Sequence, residues 1–182
     1  MHYKTFVRLV CGLGIICLGC SKEYPAKQQS SENETKTIST KARGAAQIDG
    51  IGYFDATDVC NAAGQGASFA VSMTGSLEGC LLVYVDYYNC SPSGTYMEIG
   101  REYFNGTYNG KQGTFWTAYR FEAKYEGCAN NGSYLGAEIF GRCQHPIVDG
   151  SGTGVFEGAT GRLDMKDNVV EGNYPYRGHI KL

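Results

Sequence analysis

The chain is poor in the features that most often mark metalloenzymes and nucleic-acid binders. Its three histidines, His2, His145 and His179, are scattered, and no C-x-x-C or H-x-x-x-H spacing occurs after Cys20, so the domain is expected to hold no metal site and no cofactor. No G-x-S-x-G motif accompanies the histidines, which removes that hydrolase signature. A net charge of −2, without clustered basic and aromatic residues, excludes nucleic acid as a partner. No twelve-residue window carries a convincing helical stripe. Tryptophan occurs once and proline four times, against 26 glycines and 14 tyrosines, a balance that favours an all-β domain with many tight corners.

At the N-terminus, Lys4 and Arg8 precede an apolar run from Leu9 to Leu18. A membrane-spanning helix needs about 20 apolar residues, so this run fits a secretory signal instead. It ends in Cys17-Leu18-Gly19-Cys20, which resembles a bacterial lipobox with Cys17 in the place usually held by leucine. Residues 1–19 therefore read as a lipoprotein signal peptide and Cys20 as the lipidated residue, the alternative being a plain secretory signal cleaved nearby. Acylation there anchors the chain to a membrane surface. Residues 20–47 hold one aromatic residue, Tyr24, and one branched aliphatic residue, Ile38. Such a segment buries too little apolar surface to offset its ordering entropy and reads as a disordered tether. Ser21-Lys22-Glu23 resembles the export signals of Bacteroidetes-type surface lipoproteins. The expected location is the cell envelope, lipid-anchored to the outer membrane and facing either the periplasm or the exterior.

Residues 48–182 have the size of one domain. Within it apolar residues alternate with period two: Ala67, Phe69, Val71 and Met73; Phe115, Tyr119, Phe121, Ala123 and Tyr125; Tyr174, Tyr176, Ile180 and Leu182. The run from Cys80 to Asn89 is apolar on both faces. Turn signals separate the runs, and seven or eight short strands joined by short turns predict an antiparallel meander. Closing it into a small barrel removes its edges.

Five cysteines follow Cys20. Cys80 and Cys90 bracket one expected strand, about 33 Å long at 3.3 Å per residue, and cannot bond each other. In a meander, Cys90 and Cys128 fall at turns on the same end and form the preferred bond. Cys80 and Cys143 fall at the opposite end and form the second expected bond, with Cys60 a competitor or a free thiol.

The stretch Gly150–Leu163 carries five glycines around Val155 and Phe156. Ala159 follows Gly158, and Arg162 with Leu163 follows Gly161, so the lysine and hydroxyl of a phosphate loop are missing. The glycines therefore read as bends in a late barrel strand. Gly152, Thr153, Gly154, Phe156 and Gly158-Ala159-Thr160-Gly161 resemble the GGTGxFxGATG segment of dirigent proteins and allene oxide cyclase barrel-like domains. The resemblance covers about residues 65–182, most closely from about 140. It implies an eight-stranded antiparallel barrel, often a homo-oligomer, whose cavity in some relatives guides cyclisation or radical coupling of small hydrophobic molecules. No catalytic residue of those families maps onto this chain.

Asp86 shares a face with Leu82, Tyr84 and Tyr88, and Glu138 sits in an apolar stretch with Arg142 as its expected ion partner. Either acid could line a cavity or belong to a satisfied core network. Tyr84 and Tyr119 are further lining candidates. His145 at a strand end reads as structural, with a catalytic role as its alternative. Glu98 and Glu102 flank Arg101 and read as a solvated face. Together these readings give a membrane-anchored barrel lipoprotein that binds a small hydrophobic molecule or a partner. The alternatives are an isomerase or coupling enzyme of the barrel group, and a structural envelope protein without ligand. Radiolabelled palmitate tests the anchor: Cys20→Ser loses the label, and unchanged labelling contradicts the assignment of Cys20.

Overall fold

A computed structural model describes residues 44–182. The signal segment, Cys20 and the tether up to residue 43 lie outside the described residues. The strands are β1 (Ala46–Phe54), β2 (Phe69–Gly75), β3 (Leu77–Cys90), β4 (Thr95–Tyr108), β5 (Lys111–Cys128), β6 (Tyr134–Pro146), β7 (Thr153–Gly154), β8 (Thr160–Lys166) and β9 (Tyr174–Lys181). One short 3-10 turn, Ala63–Gln65, interrupts the loop after β1.

Every pairing is antiparallel, and the neighbours run β1-β2-β3-β4-β5-β6-β8-β9, with β9 pairing back to β1. The sheet is thus the closed eight-stranded barrel that the period-two patterning predicts, with the two-residue β7 lying outside it on β5. Closure leaves none of the eight strands as a bare edge.

Successive turns alternate between two ends. One end carries the tight turns after β2 and β4, and it is plugged by aromatic packing. Phe104, Phe115 and Phe156 are fully buried, with ring centroids 4.9, 5.7 and 4.9 Å apart pairwise. The other end carries the loops 55–68, 91–94, 129–133 and 167–173 and stays open.

The glycine-rich stretch forms part of the plug, not a bent barrel strand as its sequence suggests. β6 leaves β5 near Arg120 to pair with β8, and the freed lower edge of β5 is completed by a bridge from Thr117 to Ile147 and by β7 against Gly113 and Thr114. The chain then turns and drives Phe156 into the barrel end. A Cβ at Gly152 would lie 1.7 Å from the Phe156 carbonyl oxygen, and Gly154, at φ +59°, would place one 2.4 Å from Gln112 O. Gly158 turns at φ +72° and Gly161 at φ +143°. The glycines therefore allow a tight turn against β5 that presents one phenyl ring.

The disulfides join Cys90 to Cys128, as expected, and Cys60 to Cys80. The expected Cys80–Cys143 bond does not form, because the two side chains leave opposite faces of the barrel wall. Leu81 and Val83 point inward on β3, so Cys80 points outward with Leu82, where loop 55–68 covers them through Cys60 and Ala62, beside Ala70 of β2. Cys143 points inward among the core residues and is the free cysteine among the described residues. This covered outer face explains why the outward Leu82 and Tyr84 are apolar or aromatic, whereas Tyr87 and Tyr88 further along stay exposed. Loop 55–68 is further held by the Asp55 carboxylate, which accepts the N–H groups of Val59 and Cys60 at 3.1 and 2.7 Å. Closing chain separations of 20 and 38 residues, the two bonds each contribute about 3–4 kcal/mol through the unfolded state.

Two outcomes test this arrangement. Phe156→Ala lowers the free energy of unfolding by about 3–5 kcal/mol in chemical denaturation, as expected for an aromatic core truncation. Non-reducing peptide mapping recovers the 60–80 and 90–128 bonds, and Cys143 resists alkylation until the protein is unfolded.

Candidate functional site

The interior of the open half is not filled. A cavity of about 320 Å³ remains between the plug and the open-end loops. Its apolar wall comes from Phe69, Val71, Leu81, Val83, Phe121 and Met165, with Phe54, Tyr134 and Tyr174 completing the aromatic lining. Its polar groups are four carboxyls, one imidazole and the hydroxyls of its tyrosines.

The inward face of β4 builds most of the polar wall. Tyr96, Glu98, Glu102 and Phe104 share one face, with Gly100 between the two glutamates. A Cβ at Gly100 would lie 2.7 Å from the Tyr119 ring, so the glycine makes room for that tyrosine to lie across β4. The two oxygens of Glu98 then each accept a phenol hydrogen, from Tyr96 at 2.6 Å and from Tyr119 at 2.7 Å. Burial, followed by the hydrogen bond to Glu98, pushes both phenols well above their ordinary value, so they remain donors.

Glu102 lies deeper, 3% exposed, and its Oε2 accepts the Thr117 hydroxyl at 2.5 Å and His145 Nδ1–H at 2.6 Å. A carboxylate has no hydrogen to give, so this contact assigns the proton of His145 to Nδ1. His145 is itself 3% exposed, lines the cavity, and has no protein partner at Nε2 among the described residues. Cys143 is adjacent, 4.0 Å from Nδ1, but burial holds its thiol far above the usual value, so it is no thiolate nucleophile.

A third carboxyl group sits nearer the open end. Tyr125 donates to Glu138 at 3.2 Å, and its ring stacks on Tyr134 at 4.3 Å. Asp167, in the loop after β8, faces Glu138 above Gly141. A Cβ at Gly141 would lie 2.5 Å from Glu138 Oε1, 2.6 Å from Asp167 Oδ2 and 2.8 Å from the Phe121 ring. Burial, then the Glu138 carboxyl beside it, raises Asp167 to about 7.

Tyr119 and Glu138 thus line the cavity as the sequence suggests, and so does His145, whose place at a strand end reads as structural in the sequence, whereas Tyr84 and Asp86 do not. β3 carries a bulge between Val85 and Tyr87, so Asp86 stands opposite no residue of β4 and its face is discontinuous with Tyr88. Asp86 lies outside the barrel, half exposed, 3.5 Å from Arg101. Tyr84 is also outward and packs on Trp116 at 5.6 Å. Arg142 is not the partner of Glu138; it points outward to Glu122 at 2.7 Å. Glu98 and Glu102 are not a solvated face, because the inward positions on β4 are the even ones. Tyr96 and Phe104, two residues outside each glutamate, carry that parity in the sequence. Nothing in the sequence marks Asp167, which reaches the cavity only through the path of its turn.

No protein-family model matches the chain, and no curated protein matches it.

The weakened acidity of Asp167 has a defined consequence for stability. Between its ordinary value of 3.8 and about 7 the folded chain holds a proton there that the unfolded chain releases, so this group's contribution is full below that window and lost as pH rises through it. Thermal melting across this range shows the decline in the native chain. Asp167→Asn, which cannot titrate beside Glu138, flattens that part of the profile.

Proposed function

We propose that the barrel is a small-molecule-binding module carried by an envelope lipoprotein anchored through Cys20. The observation that carries this reading is the open-ended cavity, which combines an aromatic and aliphatic wall with a few convergent polar groups. Such composition is usual for ligand sites. A barrel serving only as an envelope scaffold has no need of it, since replacing buried, mutually bonded polar groups such as Glu102 and His145 with apolar residues of the same shape is often neutral or stabilising. The eight-stranded closure agrees with the resemblance to the allene oxide cyclase and dirigent barrels, whose cavities in some members receive small hydrophobic molecules. Native mass spectrometry of protein purified without denaturation tests the reading: a small molecule is retained, and Tyr119→Trp, which crowds the cavity, reduces its occupancy. A bare protein mass under all gentle conditions counts against it.

One observation favours an enzyme instead. Glu102 fixes the Nδ1–H tautomer of His145 and leaves the Nε2 lone pair facing the cavity, the arrangement of a general base. In that reading the barrel shapes an apolar substrate while His145 moves a proton, as an isomerase requires. The retained molecule, incubated with protein in heavy water, then acquires deuterium with the native chain and not with His145→Gln. Retention without exchange favours binding alone.

A further inference from the structure

We infer that the molecule held in this barrel carries a cationic nitrogen, an ammonium or amidinium group on a small aromatic or aliphatic body; the inference rests on the cavity being a ligand site. The first reason is charge. Glu98, Glu102, Glu138 and Asp167 all line the cavity, and among the described residues no lysine or arginine does. Four carboxyl side chains thus face a single imidazole, so acidic groups outnumber basic ones in the wall. Enclosed charge without a counter-charge is costly, and a cationic guest relieves that cost.

The second reason is hydrogen-bond supply, and it is independent of the first. The phenols of Tyr96, Tyr119 and Tyr125 already donate to glutamates. His145 Nε2, buried in the cavity wall and without a protein partner, is an acceptor in the tautomer that Glu102 imposes. Tyr134 and Tyr174 keep their hydroxyls toward the open end, so it is around His145 in the deep wall that the free capacity is acceptor capacity, which matches a group that only donates. The nearby ring faces add cation–π attraction. Among the described residues no three His, Cys, Asp or Glu side chains converge closely enough to hold a metal ion. The negative charge is spread along the wall, which suits a bulky organic cation better than a compact one.

The test is a titration of the full chain, followed by NMR, with three probes of similar shape: 2-phenylethylamine, 2-phenylethanol and 3-phenylpropanoate. The amine binds about tenfold or more tighter than the alcohol, which corresponds to 1.4 kcal/mol or more, and the carboxylate does not bind. Glu98→Gln and Glu138→Gln each weaken the amine about tenfold more than the alcohol, and circular dichroism with thermal melting reports that the variants are folded. Equal binding of amine and alcohol overturns the cation inference and leaves the ligand-binding reading intact. Absence of binding by all three probes overturns both.

Discussion

The open half of the barrel depends on phenol and imidazole hydrogens donated to carboxylates that face inward. Tyr96 and Tyr119 converge on Glu98, Thr117 and His145 on Glu102, and Tyr125 on Glu138. Apart from Tyr96–Glu98 within β4, each bond crosses the interior or spans neighbouring strands, so the carboxyls join the wall where apolar packing stops. Charge-assisted hydrogen bonds of this kind are roughly twice as strong as neutral ones, whereas an unpaired carboxylate in the same place would be severely destabilising. The cavity is therefore a polar network with a space inside it, not simply a gap in a hydrophobic core.

The two halves of the barrel divide the work of stability and recognition. The plugged half is packed by Phe104, Phe115 and Phe156 and by Leu77, to whose N–H the Tyr176 hydroxyl oxygen lies 2.9 Å away. The open half is built from longer strand ends and loops and is held at its margins by covalent ties. Cys90–Cys128 fastens the end of β5 to the end of β3, and Cys60–Cys80 fastens loop 55–68 to the outside of β3. These ties let an aromatic, carboxyl-rich interior stay open without relying on core packing to hold its rim.

Much of the fold was legible because barrel closure is a simple consequence of period-two patterning. Phe115, Tyr119 and Tyr125 on β5 and Tyr174, Tyr176 and Ile180 on β9 announce their inward faces directly. The polar wall was harder to read. On β4 the inward face carries glutamates while Met97 and Ile99 face outward, so polarity alone assigns the faces in reverse. On β3 both faces are apolar, so the even face of Leu82, Tyr84 and Asp86 reads as inward as readily as the odd face of Leu81 and Val83, and only the covering of Leu82 by loop 55–68 shows it to be the outer one. Cys80 and Cys143 illustrate the same limit: their positions along the strands agree, but their faces do not. The glycine-rich stretch was legible as structural and not catalytic, yet its role as a plug depends on a long-range contact between Phe156 and residues some forty to fifty positions earlier.

The central claim is that Glu102 and His145 face one another inside the barrel with the proton on Nδ1. NMR of the imidazole nitrogens tests it directly. A strongly downfield Nδ1–H resonance, protected from solvent exchange and lost in Glu102→Gln while the fold persists, is the expected result. A rapidly exchanging His145 ring with no Nδ1–H signal, unchanged by Glu102→Gln, would contradict the account.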